Sequence, residues 1–474
     1  MPVQFPPDLI ASVSGFRGRV GAPLTPELIA ALASGFGAWL AHSDPAPIVV
    51  VGRDSRTSGP VFYRAAVAGL LSVGRRVIEL GVVPTPTIMM AVRHHGANGG
   101  IGVTASHNPA EWNALKLASG EGMFLDAGAS LAFREFVTSA EFARAPWDRI
   151  LTVEQDDEAI ERHHQAILAL PFLDLEAIRN RRFKVALDCV HGAGGRMVPR
   201  LLEALGCEVV GMGLEPDGRF PRDPEPTAAN LAPLGELVQS AGADLGFAVD
   251  PDADRLSLVD ESGSPLGEDH TLALASAAVL KRKSGTVVTN LSTSRVVQDV
   301  AEGCGGTLVR SAVGEINVAR KMQEVGAVIG GEGNGGVILP ALHHTRDAPL
   351  GCALLLQHLV DEGGSLSEAA GNWPRYRILK EKVQFPRERL TAAYAGLEAH
   401  LDAPAADRED GLRLDWPQRG RWLHVRPSGT EPIVRLIAEA PSEEDAAELI
   451  DQGRAVLARV LTGPAHAGPT DPRD

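Results

Sequence analysis

A chain of 474 residues exceeds the ~250 to 300 at which one hydrophobic core stops growing, so several domains are expected. With 44% hydrophobic and 22% charged residues, the composition excludes bulk disorder and a fibrous architecture. A formal net charge of −15 repels nucleic acid and anionic membranes, so an anionic ligand must meet locally concentrated basic groups.

Glycine (51) and proline (33) are in excess of their usual combined share of roughly 12%, which points to many turns and functional loops. Apolar runs such as residues 272–280 fall short of the ~18 to 20 residues that span a bilayer. The first residues lack a basic segment, an apolar stretch and a cleavage site. The expectation is a cytoplasmic protein with no membrane and no nucleic-acid partner. Cys189, Cys207, Cys304 and Cys352 are widely spaced without a C-x-x-C pair, which suits reduced, mostly buried thiols.

Short β-branched runs alternate with helical-period segments, the pattern of α/β domains. The first unit holds a strand over 47–52, a helix over 61–73, a strand over 76–81, a helix over 86–95 and a strand over 99–104. Segment 152–170, with periodic apolar positions among many charges, reads as a helical connector. A second unit has strands over 183–188, 208–211 and 245–249 with a helix over 198–205. A third, from about 269 to 373, has strands over 286–290, 307–310 and 327–330. After Arg377, short strands and helices over 388–401 and 442–461 suggest a two-layer α+β domain. The Pro-, Gly- and charge-rich tail from Gly463 reads as disordered. The expected division is 1–150, 151–265, 266–376 and 377–474: three successive α/β domains and a smaller C-terminal α+β domain.

Four loops concentrate chemistry. Thr104-Ala-Ser106-His107-Asn108-Pro109 follows a strand, at the carboxyl edge where α/β sheets bind ligands. Its serine is a nucleophile or phosphoryl carrier once a base or metal activates it, or the loop is a plain turn. Asp250-Pro-Asp252-Ala-Asp254-Arg255 brings three carboxylates at alternate positions, a donor set for a hard divalent cation such as Mg²⁺. Gly330-Gly-Glu332-Gly-Asn334-Gly-Gly336 lets backbone approach a ligand while a carboxylate and an amide read hydroxyls or an amine; a glycine-rich hairpin is the plain alternative. Arg426-Pro-Ser428-Gly429-Thr430-Glu431-Pro432, with Arg435, gathers backbone N–H groups, hydroxyls and guanidinium forks into an anion nest.

In this order the four loops resemble those of the α-D-phosphohexomutase superfamily over nearly the whole chain, with added agreement at 14–18, 52–56 and Lys116. The resemblance implies four domains with mixed sheets around a central cleft. It also implies that Ser106 is a phosphoserine lying against Mg²⁺ held by Asp250, Asp252 and Asp254, with Ser106 itself contributing to the metal site. Glu332, Asn334 and Arg255 would bind substrate, and Arg426, Ser428, Gly429, Thr430 and Arg435 the non-reacting phosphate. Arg17 and Lys116 would assist at the reacting oxygens, with His107 either catalytic or orienting the turn. A small-molecule hexose phosphate would be isomerised through a hexose 1,6-bisphosphate, which also activates the enzyme.

The variant loops 113–116, 331–336 and 342–347 are most similar to a phosphoglucosamine mutase-like branch, with phosphomannomutase/phosphoglucomutase as the alternative. A sugar-phosphate phosphatase and a non-catalytic sensor are the competing classes. The pairs His94-His95, His163-His164 and His343-His344 read as surface or packing residues, and monomer and dimer both remain open.

Overall fold

The computed structural model describes residues 2–13, 15–42, 44, 47–428 and 433–462; the tail from Gly463 lies outside them. These residues cluster into two compact units, one of residues 1–289, 297–309 and 314–373, the other of 290–296, 310–313 and 374 onward.

The larger unit holds three sheets. The first contains β1 (Ile10–Ser12), β2 (Gly15–Arg19), β3 (Ile48–Arg53), β4 (Arg76–Val82), β5 (Gly99–Val103), β6 (Trp112–Ser119) and β7 (Val153–Gln155), in the order β1-β2-β6-β5-β3-β4-β7. Strands β5, β3, β4 and β7 run parallel, and β6, β2 and β1 are added antiparallel. The parallel strands β3 and β5 read Ile-Val-Val-Val-Gly-Arg and Gly-Gly-Ile-Gly-Val, buried along almost their whole length, as expected for strands covered on both faces. The second sheet is β11 (Leu256–Val259), β10 (Leu245–Val249), β8 (Lys184–Asp188) and β9 (Glu208–Met212), in that order. In the third, β13 (Thr307–Ser311), β12 (Thr286–Asn290), β14 (Ile329–Glu332) and β15 (Gly336–Ile338) lie side by side.

Sheet character is mixed throughout this unit: β10 pairs parallel with β8 and antiparallel with β11, and β14 pairs parallel with β12 and antiparallel with β15. Helix Asp269–Leu280 has no polar face from Thr271 onward and is buried there, packed against helix Ala348–Glu362, itself buried from Ala348 to Leu359. A helix with no polar face belongs inside.

The smaller unit is an antiparallel sheet, β16 (Arg377–Gln384), β20 (Ile433–Ala440), β19 (Arg421–Pro427), β18 (Leu412–Trp416) and β17 (Ala405–Asp407). Helices Leu390–Leu401 and Glu443–Thr462 share one core with it through Ala393, Leu397, Leu449, Ile450 and Leu457. That is the expected two-layer α+β arrangement.

One element departs from the expectation. The connector 152–170 is helical only from Ala159 to Leu168, and Val153–Gln155 extends the first sheet beyond β4. A three-residue strand is too short to interrupt a helical period in the sequence, and its place comes from the edge β4 offers, where Arg76 and Glu154 pair. The four cysteines are unpaired, three of them buried.

Candidate active site

Three of the four loops emerge from strand carboxyl ends of the larger unit: Ser106 after β5, Asp250 after β10, and Glu332 at the end of β14. This is where parallel strands leave backbone and side chains pointing into open space. Ser106 adopts a left-handed φ of 50°. Thr104 Oγ1 accepts from Ser106 N at 3.0 Å and donates to Asp54 Oδ2 at 2.7 Å. Arg56, 1% exposed, donates to the carbonyls of Ser106, Asn108, Pro109 and Trp112. One guanidinium thus satisfies four carbonyls of a loop that no regular ladder could serve.

Ser106 Oγ donates to Asp250 Oδ2 at 2.9 Å. Asp250, Asp252 and Asp254 are fully buried, and one oxygen from each lies within 4.8 Å of the others. Asp250 Oδ1 accepts the N–H groups of Asp254 and Arg255 and closes the loop. Thr85 holds Asp252 twice, N–H to its carbonyl at 2.9 Å and Oγ1 to Oδ2 at 2.7 Å, and Lys116 Nζ lies 3.0 Å from the same Oδ2. Burial and the charges of Asp254 and Asp252 push the Asp250 carboxyl well above the usual carboxylate range. Burial opposes the charge of Asp252 too, but Lys116 and Thr85 outweigh it and hold that carboxyl below its ordinary value.

Do these residues fit a divalent cation? Asp252 Oδ1 and Asp254 Oδ1 are buried atoms without a hydrogen-bond partner, and leaving such acceptors dry is costly. Three convergent carboxylates with open lone pairs are the donor set of a hard cation, so the site fits one.

Around this centre, Arg17 Nη1 donates to Asn108 Oδ1 at 2.7 Å, and burial together with Arg255 lowers the Arg17 pKa. His107 Nδ1 lies 3.3 Å from Ser106 Oγ and Nε2 lies 3.6 Å from Glu225, which also pairs with Arg255 at 3.0 Å. Burial and the cations Arg255 and Arg17 push His107 down to about 2.

The loop expected to read the sugar is the β14–β15 hairpin. Glu332 Oε1 accepts from Gly314 N at 3.1 Å, and Asn334 Oδ1 accepts from Gly336 N at 3.2 Å. Leu256 N donates to Gly335 O at 2.9 Å, tying the hairpin to β11 directly behind the metal loop. Gly335 has φ +87°, and a Cβ there would lie 2.3 Å from Leu256 O. Gly335→Ala should therefore cost about 1 to 3 kcal/mol of strain and push the hairpin off β11. Its expected effect is a raised KM for sugar phosphate together with a lower melting temperature, checked by steady-state kinetics and thermal denaturation.

Further residues enter the site. Arg346 Nη2 donates to Asp254 Oδ2 at 2.5 Å and Nη1 to Glu332 Oε2 at 2.9 Å, and its Nε lies 3.1 Å from Glu315 Oε2. Glu315 is pushed up to about 7 by burial and by Asp254, against the pull of Arg346. Next to Arg346, Asp347 caps helix Ala348–Glu362 through Leu350 N. Its Oδ2 lies 2.7 Å from His163 Nε2 and 2.8 Å from His343 Nε2.

His163 and His343 are fully buried, so packing rather than surface is the right half of the sequence expectation for them. Thr345 N donates to His343 Nδ1, which places the His343 proton on Nε2 and makes that contact a hydrogen bond to the carboxylate. The two histidines hold Asp347 well below the usual carboxylate range despite its burial. A depressed folded-state pKa contributes stability that is present above the unfolded value of ~3.9 and disappears as pH falls below it. Asp347→Asn should lower the melting temperature at neutral pH, and the difference from the parent should shrink on acidification, as thermal melts across pH 3 to 7 would register, with roughly 2 to 4 kcal/mol at stake.

The fourth loop belongs to the smaller unit. Arg426 and Arg435 face each other across β19 and β20, and Lys382 faces Arg435 from β16. Three like charges in one cross-strand row repel, and among the described partners Asp410, 3.0 Å from Arg426 Nη2, offsets them only in part. Ser428 N donates to Ile433 O at 2.9 Å and closes the loop. Gly429 and Thr430 lie outside the described residues. Lys382 carries no motif, and only the register reveals its alignment with the two arginines.

Family models match the chain in four consecutive stretches: phosphoglucomutase/phosphomannomutase alpha/beta/alpha domain I over residues 9–144, domain II over 161–263, domain III over 267–376 and the C-terminal domain over 381–456. A phosphoglucomutase/phosphomannomutase of Thermococcus kodakarensis is 39% identical over 454 residues, 95% of this chain and 98% of that protein. A "probable phosphoglucosamine mutase" of Methanopyrus kandleri is 37% identical over 443 residues, 93% of this chain and 95% of that protein. Among solved structures, a phosphoglucomutase/phosphomannomutase family protein from Burkholderia thailandensis superposes with a TM-score of 0.82 at 27% identity, covering 96% of this chain and 99% of that one. The chain belongs to the phosphoglucomutase/phosphomannomutase family of α-D-phosphohexomutases, and it is a phosphohexomutase, an intramolecular phosphotransferase.

Proposed function

We propose that this phosphohexomutase interconverts hexose 6-phosphate and hexose 1-phosphate through a phosphoserine at Ser106 and a bisphosphorylated sugar, with glucosamine phosphate as substrate. In this reading segment 1–150 carries the phosphoserine, 151–265 the metal ligands, 266–376 the sugar loop and 377–474 the phosphate anchor. The observation that carries the chemistry is the 2.9 Å contact of Ser106 Oγ with a buried aspartate triad whose open oxygens suit a cation.

A Mg²⁺ ion held by Asp250, Asp252, Asp254 and the Ser106 phosphoryl group would supply charge neutralisation and polarisation at phosphorus. Arg56 holds the phosphoserine loop rigid, so the Ser106 side chain needs no reorganisation to reach the sugar hydroxyl. Lys116, held by Asp252, presents an ammonium beside the reacting oxygens; it gives a proton to Ser106 Oγ as the bond from that oxygen to phosphorus breaks, and the amine so formed takes up the proton of the sugar hydroxyl that bonds to phosphorus. Arg17 stabilises the equatorial oxygens, and neutral His107 orients the serine. Arg255, Glu332 and Asn334 read the sugar ring. Arg426, Ser428, Gly429, Thr430 and Arg435 hold the phosphate that is not reacting, so both orientations of a hexose 1,6-bisphosphate share one anchor.

Glu332 supports an amino sugar because a carboxylate attracts a C2 ammonium. The specific observation favouring phosphomannomutase/phosphoglucomutase activity is the pairing of that carboxylate with Arg346, which suits a neutral hydroxyl. A coupled assay with glucosamine 6-phosphate, mannose 1-phosphate and glucose 1-phosphate, under Mg²⁺ and a bisphosphate activator, decides between them. The proposal expects the highest kcat/KM on the amino sugar. Preference for a neutral hexose selects the second reading, and release of inorganic phosphate as the main product contradicts both.

A further inference from the structure

Arg346 is 7% exposed and forms ion pairs with three carboxylates that come from separate elements: Asp254 of the metal loop, Glu332 of the sugar hairpin and Glu315 in the first turn of helix Glu315–Val325. Glu315 also accepts the Arg346 backbone N–H at 3.0 Å, so the guanidinium is oriented from both ends. Two residues further on the same tie continues, Ala348 N donating to Ala253 O inside the metal loop at 3.2 Å. Arg346 takes Asp254 through Oδ2 alone and leaves Oδ1 buried without a hydrogen-bond partner. It takes Glu332 through Oε2, while Gly314 N takes Oε1.

A planar guanidinium makes such divergent contacts at fixed angles, which an ammonium on a flexible stem cannot do. We infer that Arg346 is a positioning residue for the sugar-loop carboxylate Glu332, which its fork ties to the metal-loop carboxylate Asp254 and holds in its sugar-reading pose, while its charge opposes a cation at the triad. The inference rests on the sugar-reading role proposed above for Glu332.

Two effects of opposite sign follow when the side chain changes. The Arg346 charge repels a cation at the triad, so its removal tightens cation binding. Loss of the fork releases Glu332 and weakens sugar binding. A residue that merely held the fold together would weaken both when removed.

The test is calorimetric titration of the whole chain, without turnover, using Mn²⁺ as cation probe and glucose 1-phosphate as sugar probe, on the parent, Arg346→Met and Arg346→Lys. Arg346→Met should bind Mn²⁺ about tenfold more tightly and glucose 1-phosphate about tenfold more weakly. Arg346→Lys keeps the charge and loses the fork, so Mn²⁺ affinity should stay within about twofold of the parent while sugar affinity stays low. It also serves alone if the methionine variant does not fold. Parallel weakening of both ligands, or unchanged sugar affinity in folded Arg346→Lys, overturns the inference. A parent that binds neither probe overturns the proposed function with it.

Discussion

Ser106→Ala should abolish mutase turnover, by at least ~10⁴-fold in kcat, because the group that would carry the phosphoryl between the two sugar positions is the hydroxyl itself. The scaffold should not notice the change. Thr104 holds the Ser106 N–H and Arg56 its carbonyl, both backbone contacts that alanine keeps, and the left-handed φ of 50° is no harder for alanine than for serine. The melting temperature should therefore stay close to the parent's, and kinetics on each preparation read the difference. A variant that keeps more than about a tenth of parental turnover assigns the carrier role to another group.

Asp252→Asn should come next, with kcat reduced about 10³-fold or more and cation affinity reduced in parallel. The cause is electrostatic. Three carboxylates within 4.8 Å and fully buried repel by about 4 kcal/mol per pair at 4 Å in an effective dielectric of 20, and Lys116 with Arg346 offsets only part of that. A divalent cation relieves the remainder, so Mg²⁺ should raise the parental melting temperature. Asparagine keeps the shape, loses the charge and strips Lys116 of its ion-pair partner. Chelation should silence the parent reversibly, and Mg²⁺ should fail to stabilise the variant; thermal melts with and without the metal read both. A variant that gains as much from Mg²⁺ as the parent contradicts the assignment of the triad as ligands.

The parts of the site legible in the sequence are those whose chemistry is local. A serine after an apolar strand, three aspartates at alternate positions, a glycine-rich hairpin around Glu332 and an arginine-serine turn each signal within a few residues, and sheet topology then brings three of them to strand ends of one unit. The pairings that hold those loops in place are invisible at that range. Arg56 serves carbonyls some fifty positions onward, Arg346 reaches an aspartate 92 positions back, and His163 meets Asp347 across 184. Their pairing depends on which buried charge lacks a partner once the sheets have assembled, and a linear pattern does not encode that.

The same holds for Lys382, which strand register alone sets beside Arg435, and for β7, whose place depends on the open edge of β4. The excess of glycine acquires a specific meaning at Gly335, where backbone passes too close to Leu256 O for any side chain.

The central claim is that Ser106 carries the phosphoryl group, and peptide mass spectrometry of active enzyme tests it most directly. The protein is charged with glucose 1,6-bisphosphate and then chased with excess hexose monophosphate. The account predicts one phosphoryl group on the Ser106 peptide after charging, lost in the chase as sugar bisphosphate appears. Full turnover in a preparation whose Ser106 peptide never carries phosphate would contradict it.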